Sequence, residues 1–173
     1  MARFVALLRA INTPPRHVKM DRLRGIVEDA GLDNVATYIA SGNVIFDSRP
    51  SNAIGERLEL ALSRSLGFDV PVYLRTAAEI IAVADLRPFG EAEDNLEISF
   101  LPDAPDPDDV ERLIAETSGS DRLAVIGREV YWSHVGLRRE SDHSEARVIR
   151  MLGMQTTQRS ANTVRQIADR FLR

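Results

Sequence analysis

The stretch VATYIASGNVIFD, residues 35–47, decides how the first half of the chain folds. Val35–Ser41 and Val44–Asp47 are rich in β-branched and aromatic residues, which favour strands. Between them, Gly42 takes the first central position of a two-residue turn, as the type II′ turn of tight hairpins requires. The stretch therefore predicts a β-hairpin.

The segments on either side of this hairpin each predict one strand and one helix. Before it, Phe4–Ala10 alternates like a strand, and apolar residues recur at helical spacing over Met20–Ala30. After it, a helix is predicted over Ser51–Gly67, with Ser51 as N-cap and Gly67 as the stop, and then a strand over Val70–Leu74. The order β-α-β-β-α-β is the ferredoxin-like pattern, with helices covering an antiparallel sheet. We assign residues 1–75 to this half.

Residues 76–173 repeat the order of elements in part, without a repeat of the residues themselves. The signals are a capping box at Thr76-x-x-Glu79, a helix start at Asp106-Pro107, a hairpin turning at Gly127-Arg128, and helices over Ser141–Leu152 and Ser160–Leu172. No closing strand is recognisable. We therefore predict an α+β protein of two ferredoxin-like halves, the second atypical and extended by C-terminal helices.

The composition and the absence of known motifs exclude several classes of functional site. It has no cysteine, which excludes disulfides, thiolate metal sites and cysteine nucleophiles and favours a cytoplasmic location. Nucleotide-binding and hydrolase motifs do not occur, and no two of the three histidines have i, i+4 spacing, so neither a cofactor nor a metal is predicted. The apolar start is too short to span a membrane. The net charge of −4 argues against nucleic acid as a partner.

Three polar features stand where predicted strands or helices end. Arg9 and Asn12 flank the end of the first strand, where they could grip a carboxylate or phosphate; alternatively, Arg9 pairs with an acid and Asn12 caps the loop. Ser41-Gly42-Asn43 could form an anion nest or an ordinary turn. Arg159, before the last predicted helix, could bind an anion or be a solvated side chain beside a cap.

Several motifs resemble a bacterial family of unknown function, domain of unknown function family 1697 (DUF1697). They are Phe4–Asn12 (FVALLRAIN), Val18–Met20, Tyr38–Phe46 (YIASGNVIF), Leu66–Val72 (LGFDVPV), Gly127–Tyr131 (GREVY) and the segment from Thr157 to Val164. The resemblance implies two ferredoxin-like halves and implies no activity, cofactor or partner. The family pattern carries over at Arg9, Asn12, Ser41, Gly42, Asn43, Arg159 and Thr163, which we take as candidate ligand-binding residues.

The sequence also departs from the family pattern. Ala10 stands where the family has glycine, Pro14-Pro15 where it has a glycine pair, and Ser160-Ala161 where it commonly has Asn-Trp. A site that these positions form in relatives would therefore be altered in this chain.

The leading hypothesis is a binding module for a small anionic ligand that carries a phosphate or a carboxylate. The ligand would lie in a cleft between the two halves, edged by Arg9, Asn12, Asn43 and Arg159. One alternative is a protein–protein interaction module that pairs through a sheet edge or face, a homodimer included; exposed Tyr73 and Trp132 would favour it. The other is a hydrolase-like enzyme of unknown substrate.

Overall fold

The hairpin of residues 33–48 belongs to the first of two four-stranded antiparallel sheets. The computed structural model describes residues 1–90, 95–117, 121–134 and 144–173. The chain divides into two compact units, one of Met1–Val83 with Gln166–Arg173 and one of Ala84–Arg165. The boundary predicted from sequence, between residues 75 and 76, lies eight residues earlier, and the last segment returns to the first unit.

The first unit has the ferredoxin-like order of elements. They are β1 (Ala2–Leu8), α1 (Met20–Asp29), β2 (Asp33–Tyr38), β3 (Asn43–Ser48), α2 (Ile54–Leu66) and β4 (Val72–Thr76). The strands lie in the order β2-β3-β1-β4. Apolar residues of β1, β3, α1 and α2 form the core, among them Phe4, Val44, Leu23 and Leu58.

The second unit repeats this arrangement. After α3 (Ala77–Asp85), which spans the boundary, follow β5 (Leu96–Phe100), α4 (Pro107–Ala115), β6 (Arg122–Ile126), β7 (Glu129–Ser133), α5 (Glu145–Leu152) and β8 (Thr157–Ser160). The strand order β6-β7-β5-β8 matches that of the first sheet. Leu101, Leu113, Val130, Val148 and Leu152 form a core of this unit. Helix α6 (Ala161–Ile167) then continues as a π-helical turn, Ala168–Leu172.

The closing strand that could not be recognised from sequence is β8. It pairs antiparallel with β5, from Glu97 opposite Ser160 to Phe100 opposite Thr157. Its four residues, Thr-Gln-Arg-Ser, carry no apolar alternation, so their sequence gives no strand signal. The α+β class with two ferredoxin-like halves is confirmed, and the second half is complete rather than lacking a strand.

Local cap chemistry sets several helix starts as predicted. Glu79 accepts hydrogen bonds from the backbone N–H and the hydroxyl of Thr76, which confirms the capping box. Asp106 accepts from the N–H of Asp108, with Pro107 at the first helical position of α4. Ser160 accepts from the N–H of Thr163. The predicted boundary at Ser141 lies outside the described residues, and within them α5 begins at Glu145.

Other predicted boundaries were wrong by a few residues. Helix α2 begins at Ile54 rather than after Ser51, whose hydroxyl accepts from the N–H of Ala53. Strand β4 begins at Val72, because Pro71 has no N–H to pair and the N–H of Val72 donates to Glu59. Strand β1 ends at Leu8, because Ala10 turns the backbone with a φ of +58°.

Candidate functional site

Two loops lie together at one end of the first sheet. One is residues 9–19, between β1 and α1, and the other is residues 39–42, between β2 and β3; we call them the paired loops. The backbone N–H of Leu8 donates to the carbonyl of Gly42 at 2.8 Å. The side-chain amide of Asn12 donates to the carbonyl of Ala40, also at 2.8 Å. Asn12 therefore joins the paired loops directly, and Leu8, the last residue of β1, ties the shorter loop to the sheet.

Asn12 holds the longer loop in shape. Its Nδ2 donates to the carbonyl of Val18 at 3.1 Å as well as to Ala40, and its Oδ1 accepts from the N–H of Val18 at 2.7 Å. Both amide hydrogens and the oxygen therefore have partners within the protein. This is the loop-capping alternative noted from sequence, and it makes Asn12 a positioning residue of the paired loops.

The shorter loop differs from the predicted two-residue turn. Strand β2 ends at Tyr38 and β3 begins at Asn43, so Ile39–Gly42 form a four-residue connection with Gly42 at its end. Buried Asn43 belongs to the strand, and its Nδ2 donates to the carbonyl of Tyr38 at 2.9 Å and to Ser41 Oγ at 3.0 Å. These two bonds hold the ends of the connection together and favour four residues there, instead of the two-residue turn predicted from Gly42.

Gly42 meets two separate requirements. Its φ is +79°, in the left-handed region that glycine adopts without strain. A Cβ at this position would lie 3.0 Å from the Cβ of Leu8 and 3.2 Å from that of Ile11. Any larger residue would therefore push the two loops apart.

Left-handed backbone is concentrated in the paired loops. Ala10, Asn12 and Ile39 have φ values of +58°, +55° and +49°, and Ile39 is β-branched, the residue type least suited to that region. Such conformations cost of order 1–3 kcal/mol each and collect at binding and catalytic sites. Ile39 is also 49% exposed, so burial of its own side chain does not offset that cost.

Positive charge is concentrated in the longer loop. Residues 9–19 contain Arg9, Arg16 and Lys19, together with His17, and no acid, although the whole chain has a net charge of −4. The Arg16 guanidinium lies over the Phe68 ring, 4.6 Å from its centroid. Arg9 is half-buried, and its backbone N–H donates to the carbonyl of Pro71. Sequence reasoning singled out Arg9 alone; a local charge count over the loop would also have found Arg16 and Lys19.

Arg159 and Thr163 lie in the second unit. Arg159 stands in β8 and is buried, and its guanidinium donates to Thr157 Oγ1 at 2.9 Å and to the carbonyl of Gln158 at 2.7 Å. Burial lowers the pKa of Arg159 to about 10, an effect that nearby Glu145 opposes. Thr163 Oγ1 lies 2.9 Å from Ser160 Oγ. The alternative considered from the sequence, that the Arg159 side chain is solvated, is therefore wrong, because the residue is buried.

The structure therefore brings together one part of the predicted set. Arg9, Asn12, Ser41, Gly42 and Asn43 belong to the paired loops or border them, whereas Arg159 and Thr163 belong to the other unit. Whether all of them contact one ligand stays a prediction. No group of three or more histidine, aspartate or glutamate side chains among the described residues is arranged to hold a metal ion.

Comparison with known proteins bears on the same residues. The model of a family described as protein of unknown function (DUF1697) matches residues 1–131, which include both paired loops. The chain belongs to the DUF1697 family. The resemblance predicted from the FVALLRAIN and YIASGNVIF motifs is thereby confirmed.

One solved structure extends the comparison to the whole fold of this DUF1697 protein. The conserved bacterial protein SP0830 from Streptococcus pneumoniae is 24% identical, with a TM-score of 0.79 over 98% of this chain and 97% of that one. At this identity the likeness concerns the fold. No curated protein is similar enough to this chain to count as a match. Within the part of the chain that the structure describes, no helix has the length and apolar character needed to cross a membrane.

Proposed function

We propose that this DUF1697 protein binds a small anionic molecule, carrying a phosphate or a carboxylate, at the paired loops. The main observation in support is the coincidence of two features in residues 9–19. The backbone is held in costly left-handed conformations, and three basic side chains accompany it without an acid. Neither feature is needed to connect β1 to α1. A site for an anion accounts for both.

Arg9 would supply the principal charge. A guanidinium can form two parallel hydrogen bonds to a carboxylate or phosphate, and such charge-assisted bonds are about twice as strong as neutral ones. Arg9 follows β1 directly and is anchored through its backbone to Pro71, so its position relative to the sheet is defined. Arg16, stacked on Phe68, would add a second, less mobile charge.

Asn12 and Asn43 would position these charges without touching the ligand. Their amide groups are already bonded to Val18, Ala40, Tyr38 and Ser41. This changes the roles expected from sequence, where both asparagines were candidates for direct contact. The participation of Arg159 and Thr163 in the same site stays a prediction.

The alternative of pairing through a sheet face has less support. It relied on Tyr73 and Trp132 being exposed, but the two residues are only 4% and 1% exposed. Neither ring is therefore available on the surface to a second chain.

Calorimetric titration with inorganic phosphate, pyrophosphate and succinate tests the proposal. We expect at least one of these anions to bind the unaltered protein, and Arg9→Gln to weaken that binding by about tenfold or more, since a hydrogen bond to a charged group contributes about 1.5–3 kcal/mol. Arg16→Gln should have a smaller effect in the same direction.

Arg57→Gln provides the matched control. Arg57 is exposed on α2 of the same unit, so its loss changes the net charge equally without altering the paired loops. Equal binding by all three variants would refute the site, as would failure of every anion to bind the unaltered protein. In NMR spectra, binding should shift the amide resonances of residues 9–19 and 39–42 most.

A further inference from the structure

Ile39, in the shorter of the paired loops, has a backbone conformation that does not suit its residue type. Its φ is +49°, and a β-branched residue in the left-handed region is a genuine outlier. Asn12 and Asn34 have similar φ values of +55° and +49°, but asparagine tolerates this region well. Because Ile39 is 49% exposed, its side chain also adds little to the core. Folding alone therefore gives no reason for an isoleucine here, where an asparagine would be less strained.

The position of Ile39 relative to the longer loop is set by Asn12. Ile39 directly precedes Ala40, whose carbonyl accepts the hydrogen bond from Asn12 Nδ2 at 2.8 Å. The same asparagine bonds to both the N–H and the carbonyl of Val18, so it closes the segment of residues 13–17 at its base. Consecutive Cα atoms are about 3.8 Å apart. Ile39 therefore lies beside the base of this segment.

Residues 13–17 combine positive charge with exposed apolar surface. The backbone N–H of Arg16 donates to the carbonyl of Thr13 at 2.7 Å, which keeps the segment compact. Pro14 and Pro15 between them are exposed, and a proline ring loses no rotamer freedom when a ligand covers it. The Arg16 guanidinium is held over the Phe68 ring. The segment therefore offers rigid apolar rings next to a positioned cation, with Ile39 beside its base.

This combination selects a class of anion. A plain ion such as inorganic phosphate would use the charge alone and would leave Ile39 and the two prolines in water. An apolar group attached to the anion would cover them, and each apolar area removed from water adds to the affinity. We propose, on the basis of the function proposed above, that the paired loops bind an anion bearing an aryl or short alkyl group. Its phosphate or carboxylate would lie at the basic side chains, and its apolar group on Ile39 and the prolines.

Calorimetric titration of the full chain with two matched pairs of anions tests this class. One pair is inorganic phosphate and phenyl phosphate, and the other is acetate and benzoate, so the two possible anionic groups are tested separately. In at least one pair we expect the aryl member to bind about tenfold more tightly or better, a factor that partial burial of one aromatic ring supplies. Arg16→Gln should weaken both members of that pair alike, because it removes charge and not apolar contact.

Ile39→Asn separates a role in binding from a role in folding. The variant should reduce the preference for the aryl anion to about threefold or less and leave the affinity for the plain anion unchanged. Its urea unfolding midpoint should stay the same or rise, because asparagine suits the left-handed region. Leu60→Asn is the matched control, since Leu60 is 50% exposed on α2 of the same unit and should leave the preference intact. A lowered midpoint in Ile39→Asn would instead mean that this side chain serves the fold.

A readout on the unaltered protein completes the test. With the aryl anion bound, nuclear Overhauser effects should join its ring protons to the methyl groups of Ile39, whose signals are assigned by their loss in Ile39→Asn. Equal binding of aryl and plain anions, an aryl preference that survives Ile39→Asn, or the absence of these effects at saturation would overturn this inference alone. Failure of every anion, aryl or plain, to bind would overturn the proposed function as well.

Discussion

At the scale of single residues, the hydrogen-bond partners of a polar side chain in the first unit decide whether that side chain can contact a ligand or holds a loop in place. Asn12 and Asn43 were candidates for ligand contact because amides at strand ends make good donors. In the structure the side-chain amides of both asparagines donate to backbone carbonyls of the protein, which satisfies these donors without a ligand. Under the proposed function, Arg9 and Arg16 would therefore contact the anion, and the asparagines would hold the loops that carry them.

Asp47, on strand β3, is a second residue whose properties are set by its hydrogen-bond partners. It accepts hydrogen bonds from Asn34 Nδ2 at 2.7 Å and from the Arg3 guanidinium at 3.1 Å. The bond from Asn34, and then the bond and charge of Arg3, hold the pKa of the Asp47 carboxyl below its ordinary value of 3.8, against the opposing effect of burial. A carboxyl whose pKa is lower in the folded state stabilises the protein above its unfolded-state pKa. That stabilisation is lost as the pH falls through the folded-state pKa.

We therefore predict that Asp47→Asn lowers the free energy of unfolding by about 1 kcal/mol at pH 7. The difference from the unaltered protein should shrink as the pH falls below about 4 and disappear below the folded-state pKa of Asp47, where the carboxyl is protonated and neutral like the amide. Urea unfolding between pH 2.5 and 7 measures it. Asp103→Asn, an exposed acid in a loop, should have little effect at any pH. An Asp47→Asn deficit that is constant with pH would contradict the assignment.

At the scale of elements, the hairpin shows what turn chemistry can and cannot predict. The strands and the glycine were predicted, whereas the length of the turn was not. A two-residue turn satisfies the local preference of Gly42, but the bonds from Asn43 and the close approach of Leu8 favour a four-residue connection. The error in strand β4 has a similar origin, since Glu59 of α2 binds the first N–H of that strand across the unit.

Comparing Gly42 with Gly67 measures how much the close approach of Leu8 and Ile11 to the turn contributes to stability. Both have a φ of +79°, but a Cβ would meet Leu8 and Ile11 at Gly42 and nothing within 4 Å at Gly67. We predict that Gly67→Ala costs about 1 kcal/mol through backbone strain alone, and that Gly42→Ala costs at least about 1 kcal/mol more through overpacking. Chemical unfolding of the two variants decides it; equal losses would mean that the loops can separate freely.

At the scale of the whole molecule, the C-terminal segment joins the unit that the N-terminus begins. Phe171 accepts a hydrogen bond from Arg3 Nε through its carbonyl, and its ring meets Tyr38 edge-on with centroids 6.0 Å apart. The Arg170 guanidinium lies over the same tyrosine. Local patterns predicted a helix here and assigned it to the second half, because a contact between residues 3 and 171 leaves no signal in periodicity.

We predict that Phe171→Ala destabilises the first unit by about 1 kcal/mol or more, since it removes an aromatic pair together with buried apolar surface. Amide hydrogen exchange in β2, which carries Tyr38, should become faster. Ile126→Ala, an exposed apolar residue at the edge of the second sheet, is the control and should leave exchange in β2 unchanged. Unchanged exchange in Phe171→Ala would show that the segment contributes nothing to the first unit.

The amino-acid sequence by itself determined the kinds of element and most of their order, because hydrophobic period, caps and turn residues act over a few positions along the chain. It also pointed to Arg9 and to the family. Only the tertiary structure decided that β8 closes the second sheet, that two loops are fastened together through Asn12 and Gly42, and that exposed Ile39 lies beside the loop that carries the basic residues. These features depend on which distant groups become partners, and that choice is made by packing and by the need to satisfy buried polar atoms.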